Sequence, residues 1–274
     1  MPRWFEARWP FIRTGRKPAM VPDELWQQTL THYPFLLHRH PDEQQKLRHL
    51  VYEFLQHKEF HGAQGLEISD EIATAIAAQA CLPILHMGKG TSALLWYDDF
   101  VGIEVHPGEV LARREMQDES GVVHLYQEVL SGEAMEGGPV TLSWKDVSGA
   151  GKSAEFGYNV VIHEFAHKMD MRNGVADGCP PLPPGFMGNH NARAAHSAWL
   201  ETLQSSLDHF RDQVSMAERF GAEATWLDPY GASSPAEFFA VACEAYFVNR
   251  ARFANDFASL VPMFDAFFCL DNGS

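Results

Sequence analysis

A chain of 274 residues with 46% hydrophobic and 21% charged residues has enough apolar material for one large domain or two modest ones. The formal net charge of −15 argues against nucleic acid as a direct ligand, because phosphate backbones are held by clustered Lys and Arg. No run approaches the roughly 18 apolar residues of a membrane span, and no signal peptide precedes the first helix.

The basic cluster from Arg3 to Lys17 falls in residues 1–20, read as a flexible tail before a single domain over 21–274. The four cysteines, Cys81, Cys179, Cys243 and Cys269, form no C-x-x-C pair and read as free thiols, which points to the cytoplasm. In chain order, 41–60 places Leu47, Leu50, Val51, Phe54 and Leu55 on one helical stripe behind Pro41, Asp42 and Glu43. Residues 69–85 read as a second, nearly all-apolar helix, capped by Ser69 and ended near Pro83, which packs on the first.

Between 92 and 145, "SALLWY", "VGIEVH", "VVHLYQEVL" and "GPVTLSW" read as short strands of a small antiparallel or mixed sheet. Helical patterns return at 155–171, 190–212, 234–249 and 251–268. Residues 173–189, "NGVADGCPPLPPGFMGN", are dense in Pro and Gly, and suit a lid that is stiff in its middle and hinged on glycine. The fold class is α+β, with a helical and sheet part over 21–150 and a helical part over 151–274.

The chemistry centres on "HEFAHKMD", residues 163–170. With 14 His and 21 Glu in the chain, chance supplies only about 0.05 occurrences of His-Glu-x-x-His, so the setting decides. On a helix, His163 and His167 one turn apart converge on one ion, and Glu164 stands beside it as a base without being a ligand. Tyr158, Ile162, Phe165 and Met169 form the stripe that seats that helix in the core.

A catalytic zinc takes three protein ligands. An H-E-x-x-H-x-x-G-x-x-H extension is excluded, since Asp170 and Asn173 occupy its last two signature positions. His190, His196 and His209 lie in polar or loop contexts. Glu237, in "YGASSPAEFFAVACEAYF", is the better third ligand. Ser234 and Pro235 open an almost wholly apolar helix, and the two carboxylates it carries, Glu237 and Glu244, need a cation or hydrogen-bond donors. Glu244 is then placed to support a ligand from behind.

"HEFAHKMDMRNG" together with "YGASSPAEFFAVACEAYF" resembles the bacterial Mlc titration factor A family, zinc metallopeptidases whose catalytic domain is similar to that of anthrax lethal factor. The resemblance implies a gluzincin-like domain with one zinc per chain on His163, His167 and Glu237, Glu164 as general base, and Tyr230 stabilising the oxyanion. It implies aminopeptidase-like hydrolysis of a peptide substrate and, as partner, the transcriptional repressor Mlc, which members of the family bind and keep off DNA. "GPVTLSW" is able to offer a sheet edge to an extended peptide. Two other readings stay open: a repressor-sequestering protein with latent peptidase activity, and a zinc hydrolase of a non-peptide amide.

Overall fold

Trp26, Thr29 and Leu30 are the only buried residues of the first helix, α1 (Asp23–His32). That stripe is too sparse for periodicity to reveal, and neither α1 nor the short α2 (Pro34–Leu37) is expected from the sequence. The structure, a computed structural model, describes residues 20–108, 110–117, 123–130, 132–134 and 137–268. Residues 1–19 of the expected 1–20 tail, and Cys269, lie outside them.

Helix α3 (Pro41–His57) buries the expected Leu47, Leu50, Val51, Phe54 and Leu55, and at its start the Glu43 side chain accepts the His40 N–H at 3.2 Å. It stops at His57 rather than 60, because Lys58 is already extended and leads into β1 (Glu59–Gly62). In α4 (Asp70–Cys81) the Ser69 hydroxyl caps the Ile72 N–H at 3.2 Å, and ten of its twelve residues are buried. It ends at Cys81, with Leu82 still helical in backbone as its cap and Pro83 next, which has no N–H to carry the helix on.

"SALLWY" is a correction. It lies in a 3-10 turn from Gly90 to Tyr97, not a strand. The strands that follow are β2 (Gly102–His106), β3 (Val110–Gln117), β4 (Val123–Leu130), β5 (Gly132–Ala134) and β6 (Val140–Ser143). Among the described residues, one mixed sheet has the order β1-β2-β6-β5, parallel across its first three strands and antiparallel between β5 and β6. The hairpin β3–β4 pairs separately. "GPVTLSW" is therefore not an edge: β6 is interior, with Val140 and Leu142 fully buried, and β5 forms the edge beside it.

Ser143 then caps α5 (Trp144–Ser153), a helix the sequence reading misses. Helix α6 (Val160–Asp170) begins five residues later than expected. Gly157, left-handed at φ 74°, ends a 3-10 turn at 154–156, and the Asn159 side chain opens the helix by accepting the Ile162 N–H. Helix α7 (Ala192–Phe220) outruns its expected end at 212 and stops at left-handed Gly221. Helix α8 (Pro235–Val248) lies where expected. The expected 251–268 helix is two, α9 (Arg250–Asp256) and α10 (Val261–Phe268), because Pro262 fits a first turn but not a helix interior.

The core is one cluster of buried residues from Val21 to Phe268. Phe165 of α6 sits at its centre, with ring centroids 4.8 Å from Tyr97 and 5.8 Å from both Phe54 and Phe100. Trp199 of α7 packs on Phe239 of α8 and stacks on Phe264 of α10, each at 6.0 Å. These rings fix α6 and α8 relative to the rest. Among the described residues no helix is long and apolar enough to cross a membrane, and Cys81, Cys179 and Cys243 are buried free thiols.

The segment 173–189 is laced down in its middle. The Gly178 N–H donates to Asp170 Oδ2 at 2.9 Å, and the Gly178 carbonyl accepts from Trp199 Nε1 at 2.7 Å. Asn173 donates to the Cys179 carbonyl at 3.0 Å. Gly178, expected as a hinge, is an anchor: its φ of 80° and its closeness to the Pro235 carbonyl admit no side chain.

Candidate metal centre

Packing of α6 against α8 brings three of the expected residues together. His163 Nε2 and His167 Nε2 are 3.1 Å apart, and Glu237 Oε2 lies 3.1 Å from the first and 3.2 Å from the second. Two nitrogens and an oxygen held about 2.0–2.1 Å from a tetrahedral ion are separated by about 3.3–3.4 Å, so the donor set fits zinc. It is the one His/Cys/Asp/Glu group of this kind among the described residues. Glu237 does more than begin a helix: its N–H donates to the Ser234 hydroxyl at 3.2 Å, while its carboxylate turns to the imidazoles.

Support comes from behind. His163 Nδ1 is 2.7 Å from Glu244 Oε1, so a proton held there leaves Nε2 with its lone pair toward the site. The second Glu244 oxygen accepts the Asn159 N–H, and Asn159 Nδ2 donates to Gln79 Oε1 at 2.8 Å. Three helices, α4, α6 and α8, are thereby tied to one ring.

Electrostatics follow from burial and pairing. Burial pushes the Glu237 carboxyl up, but hydrogen bonds from His163 and His167 outweigh it and hold the group well below the usual carboxylate range. Burial pushes the His163 imidazole down, and the Glu244 charge with the hydrogen bonds that His163 donates to Glu237 and Glu244 raises it well above its ordinary value. Glu164 is 4% exposed, and burial raises its carboxyl to about 7 against the pull of His163 and His167. Such a group is poised to accept a proton near neutral pH.

Tyr230 sits at the rim, 44% exposed, on a 3-10 turn from Pro229 to Ala232, with its ring centroid 6.5 Å from that of His163. Gly231 seats that turn on α8, where an added Cβ would meet Val241 at 3.2 Å. The other histidine candidates do not join the triad: His196 pairs with Asp177 at 3.1 Å, His209 meets Gln213 at 3.1 Å, and His190 is exposed.

Sequence reasoning misses four contributors. Asn159 carries a local signal, an Asn before an apolar helical run. Gln79 and Gly132 act only through tertiary contact and carry none. Lys168, inside the motif, is fully buried and pairs with Asp99 at 2.7 Å.

The sequence model of a family described as glucose-regulated metallo-peptidase M90 matches residues 7–269, beginning inside the expected tail. Similar curated proteins carry the name Mlc titration factor A. That of Klebsiella pneumoniae (strain 342) is 34% identical over 90% of this chain and 86% of its own length. That of Escherichia fergusonii is 33% identical over 96% and 92%, and that of Salmonella arizonae 32% over 96% and 97%.

Proposed function

The chain belongs to the glucose-regulated metallo-peptidase M90 family, and on that premise we propose that it is a zinc-dependent peptidase in which His163, His167 and Glu237 hold one zinc. The observation that carries the reading is the convergence of those three donor atoms within 3.2 Å of one another beside a buried carboxylate. Zinc bound there supplies Lewis acidity, bringing the pKa of a water toward neutrality and polarising a carbonyl oxygen. Glu164 takes the water proton on a carboxylate oxygen and passes it to the leaving amine. The Tyr230 hydroxyl donates to the oxygen where negative charge develops. Glu244 holds the His163 ring in the tautomer that presents Nε2. The edge of β5, next to Glu164, suits an extended peptide that adds as a strand. Cleavage at a peptide amino terminus, as an aminopeptidase, is the narrower form of this reading.

The name of the relatives favours a second reading, in which a repressor of the Mlc kind is captured by this chain and the peptidase activity is latent. One set of experiments separates the two. Purified protein is assayed for metal per chain, for hydrolysis of a panel of aminoacyl and peptide substrates, and for repressor binding before and after the metal is stripped. One zinc per chain with metal-dependent cleavage supports the peptidase. Absence of cleavage with metal-independent capture of the repressor supports the second reading and removes the first.

A further inference from the structure

Gly132 lies in β5 where its missing side chain faces Glu164. A Cβ built there would stand 2.5 Å from Oε1, 2.6 Å from Cγ and 2.8 Å from Cδ of Glu164, whereas non-bonded carbons in a packed interior sit about 3.5–4.0 Å apart. Backbone conformation is not what calls for glycine. Gly132 is not among the residues with positive φ, and it keeps regular antiparallel register opposite Leu142.

The strand side of the contact has little room to give, so the carboxyl is what shifts. Leu142 is fully buried, and β6 is paired with β2 on its other side, so β5 cannot retreat without breaking its ladder. Glu164 is itself buried, on a helix pinned by the rings around Phe165. An added methyl must therefore move the carboxyl by close to an ångström.

We propose that Gly132 is a positioning residue for Glu164: its bare backbone is the wall against which the carboxyl is laid, and any side chain there displaces it from the metal-binding triad. The inference rests on the reading of Glu164 as the base, and it adds the residue that sets that base in place. A misplacement of about 1 Å in a catalytic group costs about 10²-fold in rate, so Gly132→Ala should lower kcat by about that factor. KM should stay within about threefold and one zinc per chain should remain, because the interaction is lost at the reacting centre and not in binding.

A double-mutant cycle on thermal stability tests the contact without relying on activity. In the wild-type background Gly132→Ala should lower Tm by roughly 3–8 °C, as expected for an overpacked core in a domain of this size. In a Glu164→Ala background the space is empty, and the same substitution should leave Tm unchanged or raise it, since Ala is favoured over Gly in extended backbone. Equal Tm losses in both backgrounds, or a Gly132→Ala enzyme within about threefold of wild-type kcat, would overturn the proposal. Should Gly132→Ala alone not fold, a normally folded double variant supports the contact and an unfolded one refutes it. The role of Glu164 is decided separately by Glu164→Gln: if that variant stays active the base reading fails, while the cycle still decides whether Gly132 and Glu164 compete for one space.

Discussion

Helix α6 presents half-buried or buried polar groups to two neighbourhoods, and they differ in one respect. On one face His163 and His167 meet Glu237 of α8, three lone-pair atoms within 3.2 Å, and the only positive charge these residues supply is a proton on a ring. On another face Lys168 meets Asp99 at 2.7 Å, lies 4.6 Å over the Phe100 ring, and donates to the Gly138 carbonyl at 3.3 Å. Lys58 covers the same ring at 3.8 Å. The second cluster carries its own countercharge. The first gathers two imidazole nitrogens and a carboxylate oxygen around one point, the arrangement of a group able to hold a cation. Burial alone does not mark a functional site; buried groups of one kind converging without their complement do.

The sharpest way to break this contrast is at the base. Glu164→Gln should cut peptide hydrolysis by at least about 10³-fold while one zinc per chain remains, because no ligand is touched. Loss of the metal in that variant would merge the base with the ligand set. At the self-sufficient cluster, Lys168→Met should cost on the order of 3 kcal/mol in urea unfolding, the lower end for a broken buried pair, since Asp99 also has Arg172 at 3.7 Å. Zinc content of the folded fraction should not change, and if it falls as far as that of His167→Ala, which should lose the metal, the two faces are not independent.

Smaller effects sharpen the picture. Tyr230→Phe should lower turnover by about 10²-fold with zinc and KM near wild type, and an unchanged kcat would reduce the residue to packing. Glu237→Gln should strip the zinc, whereas Glu244→Gln should weaken it by only about 10–100-fold; metal titration giving the opposite ranking would exchange their roles.

The smallest effect concerns pH. Burial brings the Lys58 ammonium down to about 8, opposed by Asp99 and assisted by the Lys168 charge. The unfolded chain then binds more protons than the folded one between about 8 and the ordinary value of 10.5, so this residue makes stability rise with pH across that window. Its contribution is complete above 10.5 and is lost as pH falls through about 8. The urea midpoint of wild type relative to Lys58→Met should climb from pH 8 to 10, and a flat difference would show that the ammonium is not desolvated.

The sequence discloses what depends on local pattern. His163, Glu164, His167 and Glu237 stand out because a metal site calls for a helical turn between two donors and a carboxylate on an apolar helix for a third, and both patterns are written in residue spacing. Helices α3 and α8 follow from clean apolar stripes and caps. Where neighbours in space decide, the pattern misleads: β6 looks like an edge until β5 is seen outside it, and "SALLWY" has strand composition but closes a 3-10 turn. The late helix reads as continuous although Pro262 announces its division. Gln79, Gly132 and the partner of Lys168 have no signature at all, since each acquires its role from a residue at least thirty positions away.

The spacing of the donors also sets when the site comes into being. His163 and Glu237 are 74 positions apart, and the Gln79 that steadies Asn159 lies 80 before it. During synthesis the amino-terminal part of the chain emerges first, so two imidazoles are exposed on α6 long before α8 arrives with its carboxylates. The three donor atoms therefore come together only once the chain has been made through Glu237 and α8 has packed on α6. Until then the two imidazoles lack the carboxylate that completes the group, so the triad forms with the packing of α8 on α6 and not with the folding of α6 alone.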